Sequence, residues 1–179
     1  MAKGNSWKTR NRRSRYKEPR QILKRELKVE PQYKLEDLYI SPFREKKRWN
    51  EDGYWKYVPI ERRTAPTGIR IMDEYLNYLA AGQSDMQAFV DRFGLKTEEL
   101  AGMVFILTGM KGYRFRQLFQ VRLADDLLRY TDMKREEVAR RSGLGSVSNF
   151  YVTLRREFNM SIPERREFLR KPGDLGRYR

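Results

Sequence analysis

Two stretches of this 179-residue chain carry one pattern about fifty residues apart, and each reads as a helix, a tight glycine turn and a second helix. The first runs Phe89-Val90-Asp91-Arg92-Phe93-Gly94-Leu95 and continues through Leu100, Val104, Gly109 and Met110. The second runs Val138-Ala139-Arg140-Arg141-Ser142-Gly143-Leu144 and continues through Phe150, Leu154, Asn159 and Met160. The offset is 49 at the glycine-leucine pairs and 50 at the later positions, as one residue inserted in the second turn would give. Such a repeat argues for a duplicated supersecondary unit. It also points to function, because a helix-turn-helix presents its second helix to the DNA major groove.

Charge narrows the partners. The net charge of +15 is unevenly spread: residues 1–28 hold eleven Lys/Arg against two Glu, 29–68 eight against seven acids, and 69–179 twenty against fifteen. An excess of this size points to polyanions, with nucleic acid first. The chain has no Cys and no His, which removes disulfides, thiolate chemistry, the usual zinc sites and His-based acid/base or triad mechanisms. The pairs Asp125-Asp126, Glu136-Glu137 and Glu98-Glu99 fall on predicted helices, where neighbours at i, i+1 diverge, so they read as solvated faces. The reading is therefore of a non-enzyme, with no catalytic residue, metal site or cofactor. The longest apolar run, Met103 to Leu107, is far short of a membrane span or a signal-peptide core. No membrane partner is expected, and the localisation expected is cytoplasmic and nucleoid-associated.

Four stretches follow. Residues 1–28 form a basic arm, disordered over 1–20 because its composition cannot bury enough apolar surface to offset chain entropy, with a short basic helix over 21–29. Residues 29–68 form an aromatic-rich extension. In it Asn50-Glu51-Asp52-Gly53 separates Trp49 from Tyr54-Trp55-Lys56-Tyr57-Val58, the pattern of a small hairpin whose rings need something to pack on. From residue 69 to 171 the helical period holds. A helix with Ile71, Met72, Tyr75, Leu76 and Leu79 on one stripe ends at Gly82; Ser84 has capping-box spacing for the next; a long helix over 113–130 links the repeats and buries Phe115, Leu118, Phe119, Val121, Leu127 and Leu128. Helices over 135–142 and 147–158 follow, Ser161 caps a last one, and residues 172–179 read as a frayed tail. The fold class is all-α: two helix-turn-helix units joined by a long linker helix, preceded by a basic, largely extended arm with a candidate β-hairpin.

These residues resemble the DNA-binding domain of the AraC/XylS family of transcription regulators over about residues 84 to 170. The family's pattern falls on Ala139, Gly143-Leu144, Ser148, Phe150, Leu154, Arg155-Arg156, Phe158 and Ser161, and its linker pattern on Gly109, Phe115, Ala124, Leu127-Leu128 and Thr131. The resemblance implies seven helices and two helix-turn-helix units. The chain departs from it at Tyr151 and Val152, where the family usually has a small polar residue and then an arginine, so bidentate reading of guanine is lost there. In the first unit Gly102 stands in the usual arginine position. Residues 69–110 hold three Lys/Arg against six acids and 111–179 hold seventeen against nine, so the second unit alone is electrostatically fit to grip phosphate. Met103 to Leu107 reads as core before protein-binding surface. The family's effector-binding barrel has no counterpart, and no small-molecule effector is expected.

The expectation is a sequence-specific or semi-specific binder of double-stranded DNA, most simply a small transcription regulator. Its DNA-binding residues would be Ser146, Val147, Ser148, Asn149, Tyr151, Val152, Arg155 and Arg156 of the second unit, with Arg10, Arg12, Arg13 and Arg15 of the arm. Two alternatives stay open. One is a structural protein of a nucleoprotein, phage or polymerase assembly, in which Trp7, Tyr16, Trp49, Tyr54, Trp55 and Tyr57 stack on unpaired bases of RNA or DNA. The other is an adaptor that acts through its acidic first unit, with Arg155 and Arg156 in an intramolecular contact; RNA or an acidic protein assembly stays open as a partner.

Overall fold

The computed structural model describes residues 29–61, 65–173 and 175–179. Arg10, Arg12, Arg13 and Arg15, with almost all of the helix expected over 21–29, lie outside the described residues. In chain order the elements are α1 (Leu35–Leu38), β1 (Glu45–Trp49), β2 (Trp55–Pro59), α2 (Arg70–Ala80), α3 (Met86–Asp91), α4 (Thr97–Thr108), α5 (Gly112–Tyr130), α6 (Arg135–Arg141), α7 (Val147–Phe158) and α8 (Ile162–Arg170). Helices α2 to α8 are the seven that the resemblance implies, and the two units are α3–α4 and α6–α7.

The linker helix α5 is the axis, because its two ends serve different cores. Phe115 and Phe119 join Met72, Leu76 and Leu79 of α2, Phe89 and Val90 of α3, and Leu100, Val104 and Leu107 of α4. Ala124, Leu127 and Leu128 join Val138 and Ala139 of α6, Phe150 and Leu154 of α7, and Ile162 of α8. The repeat is visible down to its caps. Helices α4 and α7 end on left-handed residues at equivalent places, Gly109 at φ +68° and Asn159 at φ +54°. The one-residue offset is Gly145, at φ +78° in the second turn. In the first turn Leu95 N donates to Val90 O, and in the second Gly145 N, one place later, donates to Ala139 O.

The end of α2 touches the second unit directly. A Cβ on Gly82, just past the end of α2 at φ +75°, would sit 2.1 Å from the Arg141 carbonyl oxygen. A Cβ on Gly143 would meet Gly82 O and Gln120 Nε2, both at 3.0 Å. Gln120 of α5 donates to Gly143 O at 2.9 Å, so the second turn is held from the linker helix as well.

Four expectations are corrected. Asp125 and Asp126 are buried, not solvated. Adjacent residues do diverge around a helix, but α8 covers one side of α5 and the segment carrying α1 covers the other, so both directions lead inward. Asp125 takes a two-pronged bond from Arg165 of α8 at 3.0 and 2.5 Å, and that guanidinium lies 3.5 Å over the Phe158 ring. Asp126 accepts from the Tyr39 hydroxyl at 2.8 Å; burial pushes its carboxyl above the usual range, with Arg122 at 3.7 Å opposing the shift. The cap of α3 is Asp85 rather than Ser84, its carboxylate accepting from Ala88 N at 3.1 Å. Leu118 is only half-buried. The end of the tail is not frayed: Arg179 exchanges backbone hydrogen bonds with Glu45, and Lys47 N donates to Arg177 O.

The hairpin forms where expected, with Trp49 opposite Trp55 and Glu45 opposite Pro59. Phe43 anchors it by stacking on Tyr178 and meeting the edge of Tyr130 at the end of α5.

Removing one partner of the Asp125–Arg165 pair leaves a buried charge unmatched. Asp125→Ala is expected to cost about 3–5 kcal/mol of unfolding free energy in urea titrations. Asp125→Leu combined with Arg165→Met is expected to recover most of that loss.

Candidate nucleic-acid interface

Helix α7 is presented by its own caps and by its inward face. The Ser146 hydroxyl accepts from Asn149 N at 3.1 Å, and the Asn149 side chain donates to Leu144 O at 2.7 Å, which fixes the angle between turn and helix. Phe150, Thr153 and Leu154 turn inward and are buried. Ser148, Tyr151, Val152, Arg155 and Arg156 point away from the core; Tyr151 is 43% exposed and Val152 58%. The spacing of three and four residues puts Ser148, Tyr151, Val152 and Arg155 on one side of the helix.

The eight α7 positions singled out from sequence therefore divide. Ser148, Tyr151, Val152, Arg155 and Arg156 come together on an open surface. Ser146 and Asn149 are engaged in shaping the start of the helix, and Val147 packs partly against the second core. Arg155 donates to Asn159 O at 3.0 Å, near the negative end of the helix dipole, and Arg156 lies 3.3 Å from Glu157.

Residues that sequence reasoning missed hold α7 in place. Arg114, in the first turn of α5, grips the Glu157 carboxylate through two nitrogens at 2.6 and 2.7 Å and ties the end of α7 to the start of the linker. Hydrogen bonds from that guanidinium hold the Glu157 carboxyl below its ordinary value. With the partners 43 positions apart in sequence, no local pattern announces the pair. On α6, hydrogen bonds from Arg140 and then Arg141 hold the Glu137 carboxyl down at about 2. The basic residues of α8 are mostly internal staples: Arg170 donates to Leu128 O at 3.1 Å and to Asp132 at 2.8 Å, and Arg166 donates to Met133 O.

The first unit presents a different face. On α4, Leu100, Val104 and Leu107 are core, while Glu98, Glu99, Gly102 and Ile106 are exposed, and the helix holds no Lys or Arg. The run Met103 to Leu107 thus supplies core residues at Val104 and Leu107 and turns Ile106 outward. Gln32 N and Tyr33 N both donate to Leu107 O, laying the segment before α1 over the end of this helix. Among the described residues no group of acidic side chains could hold a metal ion, and no helix is long and apolar enough to cross a membrane.

This arrangement defines a double helix-turn-helix domain in which the second helix of the second unit presents a basic and apolar face and that of the first an acidic one. The chain is 30% identical over 111 residues to the HTH-type transcriptional activator RhaS of Salmonella arizonae, a match covering 58% of this chain and 40% of that protein. RhaS of Salmonella newport matches with the same figures. The chain spans about two fifths of the length of the curated relatives it matches. Among solved structures, the C-terminal domain of the response regulator yesN from Fusobacterium nucleatum overlaps at 18% identity and TM-score 0.48, covering 54% of this chain and 94% of that one. The C-terminal domain of AraT, a response regulator from Geobacillus stearothermophilus, overlaps at 16% identity and TM-score 0.49, covering 59% and 88%. No family model matches the chain. The similarity to RhaS bears out the AraC/XylS resemblance read from the repeat.

The pH dependence of the α7 anchor follows from the direction of the Glu157 shift. A carboxyl held low in the folded state stabilises it above the unfolded carboxylate range and loses that contribution as pH falls through the folded value. Glu157→Gln is therefore expected to lower thermal stability at neutral pH, with the gap to wild type closing in acid.

Proposed function

We propose that the chain is a DNA-binding transcription regulator that lays α7 in the major groove of double-stranded DNA. The observation that carries this reading is the outward set Ser148, Tyr151, Val152 and Arg155 on a helix whose opposite side is locked into the core. A major groove admits one α-helix, and a helix used this way needs an unencumbered face and a rigid mount. The similarity to proteins named as HTH-type transcriptional activators supports the same reading.

The roles follow from the chemistry. Ser148 meets base edges, the Tyr151 ring and Val152 methyls meet thymine methyl groups, and Arg155 and Arg156 hold phosphates. Ser146, Val147 and Asn149 set the angle of the helix. Arg10, Arg12, Arg13 and Arg15 add phosphate contacts from the arm and raise affinity without adding discrimination. Helix α4 stays off the DNA, because Glu98 and Glu99 would face phosphate with no compensating cation on that helix. No catalysis and no cofactor enters. Without an arginine at Tyr151 or Val152 the discrimination is modest, and A·T-rich sites are favoured through their methyl groups.

Anisotropy titrations with duplex DNA, single-stranded RNA and a random polyanion test the reading. Duplex is expected to bind tightest, Val152→Glu to weaken duplex binding about tenfold or more at unchanged melting temperature, and Arg155→Ala to reduce the salt slope by about one unit. Removing residues 1–20 is expected to flatten that slope by several units. Equal affinity for all three polymers, unmoved by the α7 variants, would instead favour a role in a nucleoprotein assembly.

A further inference from the structure

The residues around the hairpin form a second surface that α7 does not use. The C-terminal residues run along the edge of β1 away from β2 through an isolated bridge: Arg179 pairs with Glu45, and Lys47 N donates to Arg177 O. One side of this sheet carries Tyr178, bridged to Lys46 and tucked against Phe43 and Tyr130. Alternation along the strands therefore places Lys47, Trp49, Trp55, Tyr57 and Arg177 on the opposite side, facing away from the helices.

That side combines rings and cations. Trp49 and Trp55 sit edge to face with centroids 4.8 Å apart, yet remain 56% and 58% exposed. The Lys47 ammonium lies 5.6 Å from the Trp55 ring, the Arg179 guanidinium 4.1 Å from the Tyr57 ring, and the Tyr57 hydroxyl donates to Gly176 O at 2.8 Å. Between hairpin and tail runs a groove of about 490 Å³ lined by Lys47, Arg48, Trp49, Trp55, Leu175 and Arg177. Among the described residues Glu45, paired with Arg179, is the acid that alternation along the strands places on this side, while Glu51 and Asp52 lie in the hairpin turn. A tryptophan pair serving only to close the hairpin needs its edge contact, but not a cation-lined groove beside it.

We propose that this surface binds single-stranded nucleic acid, with unpaired bases stacked on Trp49 and Trp55 and the backbone held by Lys47 and Arg177. Flat rings that stay open, spaced among cations on a rigid sheet, are what sequence-tolerant binding of unpaired bases requires. The positive charge disfavours a basic ligand and suits a polyanion, while the exposed rings add what a duplex, with its bases stacked inside, cannot use. The site is separate from α7 and does not depend on the duplex reading.

Oligo(dT), oligo(U) and an abasic deoxyribose-phosphate chain of equal length are titrated against the full chain carrying Trp7→Phe, so that Trp49 and Trp55 report the fluorescence. Both base-bearing strands are expected to quench the emission and to bind about tenfold or more tightly than the abasic chain, which measures phosphate contacts from the arm. Trp55→Leu is expected to remove that difference, and Lys47→Ala with Arg177→Ala to weaken both kinds of strand at an unchanged melting temperature. Val152→Glu leaves the difference intact, so failure here and failure of the α7 reading are told apart. Equal affinity for abasic and base-bearing strands, or no quenching by either, overturns the proposal.

Discussion

Helix α5 has to be covered on nearly all sides at once, and the rest of the structure follows from how that is done. A lone amphipathic helix buries one stripe; α5 buries Phe115 and Phe119 toward one unit and Ala124, Leu127 and Leu128 toward the other. The polar groups caught between these surfaces, Gln120, Asp125 and Asp126, each meet a partner reaching in from elsewhere: the second turn, α8 and Tyr39. Burying them unpaired would cost several kcal/mol each, so these contacts select one mutual placement of the two units. Arg114 then carries the same discipline to the end of α7.

Duplication explains both the likeness and the difference of the units. The glycine turns, the left-handed helix ends and the inward residues match because each unit must pack on α5 in the same way. Outward positions bear no such constraint. There α4 carries Glu98, Glu99 and Ile106, while α7 carries Ser148, Tyr151, Val152 and Arg155, and the charge of each half follows.

Much of this was legible in the chain, for local reasons. Helix limits followed from Ser161 as a cap and from Gly82 as an end; the inserted residue in the second turn followed from the change of offset between Leu144 and Phe150. The hairpin register was carried by its Asn-Glu-Asp-Gly turn. The outward face of α7 could be read because Phe150 and Leu154 fix which side is in. What could not be read depends on partners far apart in sequence: Arg165 for Asp125, Arg114 for Glu157, Arg179 for Glu45. Charged residues at such places look solvated until the fold supplies their counterpart. Asn149 illustrates the same limit at short range, since its amide was equally suited to a base edge and to the Leu144 carbonyl it meets.

Amide NMR of the full chain during titration with a short DNA duplex tests the central claim most directly, because it reports every contact surface in one experiment. The account predicts that the largest shifts map to residues 146–156, with α4 unmoved. Shifts confined to the amino-terminal arm and the hairpin, with Ser148, Tyr151 and Val152 unaffected, would contradict it.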